Sequence, residues 1–285
     1  MSEVTNYQIQ IKNLLQEHGF RFSKSLGQNF LIDADIPDKI VKLSGIDHSC
    51  GALEVGPGLG ALTSVLCRSA GRVVAVELDG RLLPLLRKSL ADSENVEILH
   101  GDILKLDLAE LVNRKMPGMR YHVCANLPYS ITTPVLTAFI QAKVFDTITV
   151  MVQREVAKRI CASPGSPDYG AFTVYAKYHS EPEMLFDVPP ECFVPRPEVY
   201  SSVVKLNIHP DPLLVSEEET VFFTVVKAAF GQRRKTLVNA LFAVFGNAMR
   251  KEDIEGIVCS CGFDSRVRGE TLGIEEFARL SAFFT

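Results

Sequence analysis

The sequence predicts an α/β fold with a mostly parallel sheet, followed by a small all-α domain. The first observation is an alternation of short β-rich runs with amphipathic stretches between residues 52 and 152. Such alternation is typical of a parallel sheet that is covered by helices on both faces. The second observation is a change to helical patterns only, after a linker marked by Pro210 and Pro212. We therefore expect two domains, residues 1–208 and residues 209–285.

Each predicted element follows from a local pattern of apolar residues and breakers. The runs that we expect to form strands are residues 52–55, 72–77, 96–100, 121–125 and 147–153. The stretches with helical periodicity are residues 62–70, 81–90 and 134–142 in the first domain, and 217–230, 236–245, 251–261 and 274–283 in the second. Ser216 is a suitable N-cap for the first helix of the small domain.

Composition excludes several classes of protein. The chain has 285 residues, 47% of them hydrophobic and 22% charged, which is ordinary for a globular protein. No apolar run is long enough to span a bilayer, and residues 1–6 lack the features of a signal peptide, so we expect a cytoplasmic location and no membrane partner. The seven cysteines and six histidines show no metal-ligand spacing, so we expect reduced thiols and no metal. The net charge of −4 argues mildly against a nucleic-acid partner, so its distribution matters more than its total.

A glycine-rich loop at residues 54–60, EVGPGLG, connects the first predicted strand to a helix. Glycines let a ligand approach the main chain, and amides near a helix N-terminus are free to donate to it. Glu77 ends the second strand, where a carboxylate can accept both hydroxyls of a ribose, and Asp102 follows the third, where it could accept from an adenine amino group. The loop is not the dinucleotide fingerprint, because its third glycine comes one residue early. The combination favours an adenosine-containing cofactor, and S-adenosylmethionine over NAD.

The tetrapeptide Asn126, Leu127, Pro128 and Tyr129 follows the fourth predicted strand. The exocyclic amino group of a nucleobase is a poor nucleophile, because its lone pair is delocalised into the ring. A site that methylates it needs acceptors for the NH2 group and an aromatic face for the ring. The asparagine side chain and extended main-chain carbonyls before the proline can supply acceptors, and the tyrosine can supply the face. The alternative is an ordinary turn, in which the same residue types are common.

Two further motifs carry a resemblance to a known family. The N-terminal motif is residues 25–31, SLGQNFL. The late motif is residues 193–202, FVPRPEVYSS, which follow an F-x-P-x-P-x-V-x-S pattern. With the glycine loop and the tetrapeptide, they follow the order found in ribosomal RNA adenine dimethyltransferases. The chain resembles this family of class I (Rossmann-like) methyltransferases over essentially its whole length. It is most similar to the bacterial enzymes that modify two adjacent adenines near the 3′ end of small-subunit (16S) RNA.

The resemblance implies S-adenosylmethionine as the cofactor and direct methyl transfer to N6 of adenine. It further implies a monomer that acts on the 30S subunit or its precursor, with a role in subunit maturation. The implied cofactor contacts lie in the N-terminal motif and at the strand ends: Gln28, Asn29, Leu31, Gly56, Gly58, Glu77, Leu78, Asp102, Ile103 and Asn126.

The same resemblance implies how the target base is held. Asn126 and the carbonyl of Leu127, before Pro128, would accept from the amino group, and Tyr129 and Phe193 would sandwich the flipped base. The structural alternative for Phe193 is packing of its loop against the core, because aromatic residues beside prolines usually do this.

Basic residues cluster although the total charge is negative, and we expect them to contact RNA phosphates. They lie next to the N-terminal motif, after the fifth strand, within the late motif and before a helix of the small domain: Lys24, Arg154, Lys158, Arg159, Arg196, Arg233, Arg234 and Lys235. The alternative for each cluster is a solvated face.

Three other functions remain open at this point. One is methylation of large-subunit (23S) RNA by an enzyme of the same family, of the type that confers macrolide resistance. Another is a non-enzymatic ribosome-assembly factor that keeps the fold. The third is an NAD-dependent oxidoreductase, which the early third glycine disfavours.

Overall fold

The computed structural model describes residues 22–23 and 27–284. Nine strands are present in this part of the chain: β1 (Phe30–Leu31), β2 (Cys50–Val55), β3 (Arg72–Glu77), β4 (Val96–His100), β5 (Arg120–Asn126), β6 (Phe145–Gln153), β7 (Ser180–Val188), β8 (Phe193–Val194) and β9 (Ser201–Ile208). The α-helices of the same part are α1 (Asp35–Ser44), α2 (Ala61–Ser69), α3 (Leu83–Ser89), α4 (Leu108–Lys115), α5 (Thr132–Gln141), α6 (Arg154–Cys161), α7 (Ala171–His179), α8 (Ser216–Gly231), α9 (Leu237–Phe245), α10 (Lys251–Ser260) and α11 (Ile274–Ser281).

Seven strands form one sheet in the order β4-β3-β2-β5-β6-β9-β7. The first five strands in this order, β4, β3, β2, β5 and β6, are parallel to their neighbours, and β9 runs antiparallel to β6. All six residues of β2 are buried, as expected for a central parallel strand with both faces covered. The predicted α/β class with a mostly parallel sheet is confirmed.

The chain divides into two compact units. One contains the described residues up to Ala157 together with residues 183–208, and the other contains residues 158–182 together with residues 209–284. Both units therefore differ from the expected domains 1–208 and 209–285 in the segment 158–182.

The physical reason is the packing of that segment in the helical unit. Tyr169, Val174 and Tyr178 are buried in a cluster with Phe222 and other residues of the C-terminal helices. The hydroxyl of Tyr169 donates to the carbonyl of Leu272 at 2.8 Å. These contacts join residues that are far apart in the sequence, so local periodicity does not indicate them.

The helix starts show one difference from expectation. Thr236 caps α9, accepting from the amide of Asn239, but Ser216 is the first residue of α8 and Val215 occupies its cap position without a side-chain bond. Glutamates in the first turn of α8 favour the helix through its dipole instead. No helix within the described residues is long and apolar enough to cross a membrane.

Candidate active site

A cleft opens at the carboxyl edge of the parallel strands, where open α/β sheets bind ligands. It brings together all the residues that we expected to contact the cofactor: Gln28, Asn29, Leu31, Gly56, Gly58, Glu77, Leu78, Asp102, Ile103 and Asn126. Leu127, Pro128 and Tyr129 line the same cleft. The glycine loop and the tetrapeptide, which are 66 or more residues apart in the chain, are thus parts of one site.

The glycine loop after β2 is built on left-handed backbone. Gly56, Gly58 and Gly60 have φ values of 67°, 60° and 88°, which side chains with a Cβ rarely adopt. A Cβ at Gly58 would also stand 3.0 Å from the ring of Phe30. The loop therefore needs glycine at this position to keep its main chain close to the cleft.

Glu77 at the end of β3 is buried and holds the loop in place. Its Oε2 accepts from the amide of Gly58 at 3.1 Å, and its Oε1 accepts from the amide of Asp79 at 2.8 Å. Burial raises the pKa of this carboxyl. A carboxylate oxygen can accept more than one hydrogen bond, so both oxygens remain able to accept ribose hydroxyls.

Glu54, near the end of β2, is a cleft residue that the sequence reasoning did not assign. Its side chain lines the cleft and is 2% exposed, and its Oε2 has no hydrogen-bond partner among the described residues. Burial, with repulsion from Glu77, raises the pKa of Glu54 to about 8. A ligand with positive charge would favour ionisation of these two buried carboxyls, and a pyrophosphate would oppose it, so the cleft suits a cationic ligand better than a pyrophosphate. The place of Glu54 at the start of the EVGPGLG segment is the sequence signal that could have identified it.

Asp102 follows β4 and caps the turn Ile103–Lys105, accepting from the amide of Leu104 at 3.1 Å. Leu78 lies on the same side of the cleft with its side chain about half exposed. An exposed leucine, a buried Ile103 and a carboxylate form an apolar slot with one acceptor. This arrangement fits an adenine ring and its amino group.

The N-terminal motif closes the cleft through polar contacts. Gln28 donates to Asp79 Oδ2 at 2.8 Å, and Arg81 binds the same carboxyl at 2.6 Å. The hydrogen bond from Arg81 lowers the pKa of Asp79 to about 2. The carbonyl of Asn29 accepts from the side-chain amide of Asn126 at 3.3 Å. One N–H of the Asn126 side chain is thereby engaged, and its Oδ1 is able to accept from a ligand in the cleft.

The tetrapeptide continues β5 and then turns. The amide of Leu127 donates to the carbonyl of Met151 on β6 at 3.1 Å, so the main chain is still tied to the sheet there. Tyr129 begins a short 3-10 turn, and its hydroxyl makes a 2.7 Å hydrogen bond with Ser201 Oγ. The backbone here does form a turn, as the alternative expected, and the residues of this turn also line the cleft.

Phe193 does not share this environment. Its ring is 2% exposed and packs in the core cluster that includes Ile40 and Val203, while its backbone pairs with Leu31 between β1 and β8. It is not among the residues that line the cleft. The expected sandwich of the base between Tyr129 and Phe193 is absent from this conformation, and the core-packing alternative describes the observed ring.

The basic residues that we expected to contact RNA have different surroundings. Three are held by other groups of the protein: Arg154 by Asp187, Arg196 by Glu191, and Arg233 by the carbonyl of Tyr169. Lys158, Arg159, Arg234 and Lys235 are exposed. Lys24 lies outside the described residues. Among the exposed residues, Lys158, Arg234 and Lys235 make no ion pair within the described part of the chain.

Within the described ranges, no group of three or more histidine, cysteine, aspartate and glutamate side chains is placed to hold a metal ion. All seven cysteines are free thiols.

The parallel sheet, the glycine loop with its acidic cleft and the tetrapeptide define a Rossmann-like methyltransferase. A family model described as ribosomal RNA adenine dimethylase matches residues 19–278. The chain belongs to this family. The predicted family, fold class and enzyme class are confirmed.

The similar proteins agree with this membership. Ribosomal RNA small subunit methyltransferase A of Shouchella clausii (strain KSM-K16) is 47% identical over 270 residues, which are 94% of this chain and 91% of the relative. The protein of the same name from Geobacillus kaustophilus (strain HTA426) is 46% identical over 273 residues, 95% of this chain and 93% of the relative.

Solved structures show the same fold at lower identity. A dimethyladenosine transferase from Plasmodium falciparum has a TM-score of 0.75 at 24% identity, covering 90% of this chain and 97% of that one. The 23S rRNA methyltransferase ErmE has a TM-score of 0.70 at 24% identity, covering 89% and 98%. At this identity the likeness concerns the fold alone.

Proposed function

We propose that this protein dimethylates N6 of two adjacent adenines in a stem-loop near the 3′ end of 16S rRNA, with S-adenosylmethionine as the methyl donor. The proposal rests on one observation: the tetrapeptide lines the same cleft as the glycine loop and the buried carboxyls of Glu54 and Glu77. The relatives at 44–47% identity are named small-subunit methyltransferases, which favours the small subunit over the large one.

The residues of the cleft fit S-adenosylmethionine. Glu77 would accept from the ribose hydroxyls and Asp102 from the adenine amino group. Glu54 would offer a cationic group its Oε2, which has no hydrogen-bond partner among the described residues. Gly56 and Gly58 would let the main chain approach the ligand. When bound, this cofactor supplies an electrophilic methyl group.

The tetrapeptide residues would hold the adenine. Asn126 Oδ1 and the carbonyl of Leu127 would accept from the amino group, which orients the nitrogen lone pair for attack. Tyr129 would stack on one face of the base. The nitrogen can lose its proton to water after transfer, so no strong general base is required.

The proposal is tested with 30S subunits from a strain that lacks the protein. Incubation with the protein and S-adenosylmethionine should add two dimethyladenosines near the 3′ end of the 16S RNA, as seen by mass spectrometry. Methylation of 50S particles alone would favour the large-subunit alternative, and no methylation of either would overturn the proposal.

The variant Asn126→Ala tests the role of the tetrapeptide in methyl transfer. Because it removes an acceptor that faces the amino group, we expect turnover to fall at least tenfold, by about 1.5–3 kcal/mol. The dissociation constant for S-adenosylmethionine, measured by calorimetry, should change only a few-fold. A near wild-type rate would remove Asn126 from the mechanism.

A further inference from the structure

The loop between β8 and β9 presents an exposed aromatic side chain, Tyr200, which has no part in the proposed cofactor site or in the contacts to the target adenine. Tyr200 is 47% exposed and its neighbour Val199 is 44% exposed. Large apolar side chains that stay exposed in a pair are candidates for ligand contact. The position of this pair in the sheet decides which ligand.

Tyr200 lies at the same edge of the sheet as the tetrapeptide. Its carbonyl accepts from the amide of Arg154 at 2.9 Å, directly after β6 ends. In the register of the sheet, Ser201 pairs with Gln153, and Asn126 pairs with Met151 two residues earlier. Because β9 is antiparallel to β6, its first residues lie where β5 and β6 end.

The next residue in the chain ties this loop to the base-stacking side chain. Ser201 is fully buried, and its hydroxyl is 2.7 Å from the hydroxyl of Tyr129. Tyr200 therefore precedes by one residue the group that contacts the tip of Tyr129. A nucleotide that continues from a base on Tyr129 has this loop next to it.

A cation stands beside the exposed ring. The guanidinium carbon of Arg154 is 5.9 Å from the ring centroid of Tyr200. Asp187 binds Nε of Arg154 at 3.2 Å and also accepts from Ser202 Oγ at 2.5 Å. The carboxylate fixes the arginine through Nε, and within the described residues no group accepts from its terminal amino groups. The Arg154 side chain is 46% exposed, so those amino groups can meet an anion.

We propose that Tyr200 and Arg154 form a binding site for the unpaired nucleotide that flanks the methylated adenine. The ring would stack on the flanking base, and the guanidinium would contact its phosphate. Stacking of this kind accepts any base, because every base has a π face. This inference rests on the proposed function, and it gives the RNA an aromatic contact outside the cofactor cleft.

The test compares steady-state methylation of unmethylated 30S subunits by the wild type, Tyr200→Ala and Tyr200→Phe. Loss of one base–aromatic stack should raise the KM for 30S about tenfold in Tyr200→Ala, with kcat and the dissociation constant for S-adenosylmethionine within twofold of wild type. Tyr200→Phe keeps the ring and should restore the wild-type KM. Phe283→Ala removes a comparably exposed aromatic side chain of the helical unit, and serves as the matched control for surface truncation.

An unchanged KM in Tyr200→Ala, or an equal loss in Tyr200→Phe, would overturn the inference while wild-type methylation still supports the proposed function. If the wild type does not methylate 30S, the proposed function fails, and the site is tested by fluorescence anisotropy with a single-stranded oligoadenylate. Binding equal to wild type in Tyr200→Ala would then refute the site, and binding weakened about tenfold would support it.

Discussion

Replacing Glu54 by glutamine should flatten the dependence of protein stability on pH. In the folded protein this carboxyl is buried, has one oxygen without a hydrogen-bond partner among the described residues, and has a pKa of about 8 against an ordinary value of 4.5. Burial is the main cause, and the neighbouring Glu77 adds repulsion. The unfolded chain exposes the same carboxyl to water, where its ordinary pKa applies.

The sign of the effect follows from the protons bound in each state. Below the unfolded pKa, both states are protonated and Glu54 adds no pH dependence. Between that value and about 8, the folded state keeps a proton that the unfolded state has released, so stability falls as pH rises. The slope is at most about 1.4 kcal/mol per pH unit, which gives a loss of up to about 3 kcal/mol between about pH 5.5 and about pH 8.5.

Thermal unfolding of wild type and Glu54→Gln across this pH range measures the effect. The wild type should lose up to roughly 10 °C in Tm relative to the variant, because glutamine has no proton to release. Glu181→Gln alters an exposed carboxyl and is the control for charge removal alone. Parallel Tm curves for wild type and Glu54→Gln would show that Glu54 is already ionised when folded, and would refute the reasoning.

Three further outcomes follow from the contacts of the site. Ser201→Ala and Tyr129→Phe should each lower kcat about fivefold, because each removes the same hydrogen bond of about 1 kcal/mol. The double variant should be no slower than either single variant. Additive losses would show that the two hydroxyls do not act through this bond. Gly58→Ala should weaken S-adenosylmethionine binding at least tenfold in calorimetry, because φ is 60° and the added Cβ meets an aromatic ring at 3.0 Å; an unchanged affinity would show that the loop can relax. Arg234→Glu with Lys235→Glu should weaken RNA binding and reduce its salt slope by about two, and an unchanged slope would place the helical unit away from the RNA.

The parallel part of the sheet was predictable because its signals are local. The strands Arg72–Glu77 and Val96–His100 have the bounds that their apolar runs indicate, and the glycine loop marks the end of another strand. Side chains at parallel strand ends must meet at one edge, so Glu77, Asp102 and Asn126 could be placed together without coordinates.

The parts that could not be predicted depend on partners far along the chain. The last strands of the sheet, β7 and β9, lack a local signal that says which neighbour they pair with. The partners of the arginines are also distant in sequence: Asp187, which binds Arg154, is 33 residues away, and Tyr169, which binds Arg233, is 64 residues away. A charge cluster in the sequence does not show which of its members are already paired.

Phe193 shows the same limit for an aromatic residue in a motif. A motif fixes residue type and order, but whether a ring faces the cleft or the core depends on the strand that it joins. Phe193 belongs to β8 and packs inward. The exposed aromatic ring of the late motif is Tyr200, seven residues later.

The late motif has a physical role that explains its place beside a site built mainly from other strands. Successive side chains of a strand point to opposite faces, and the two serines at the start of β9 use this alternation. Ser201 bonds the hydroxyl of Tyr129, and Ser202 bonds Asp187, which holds Arg154. One short strand segment thus positions the ring that would stack on the target base and, on its other face, the cation that would meet the RNA backbone. A change in the register of β9 would disturb both contacts at once, so under the proposed function this antiparallel strand would couple base stacking to RNA positioning.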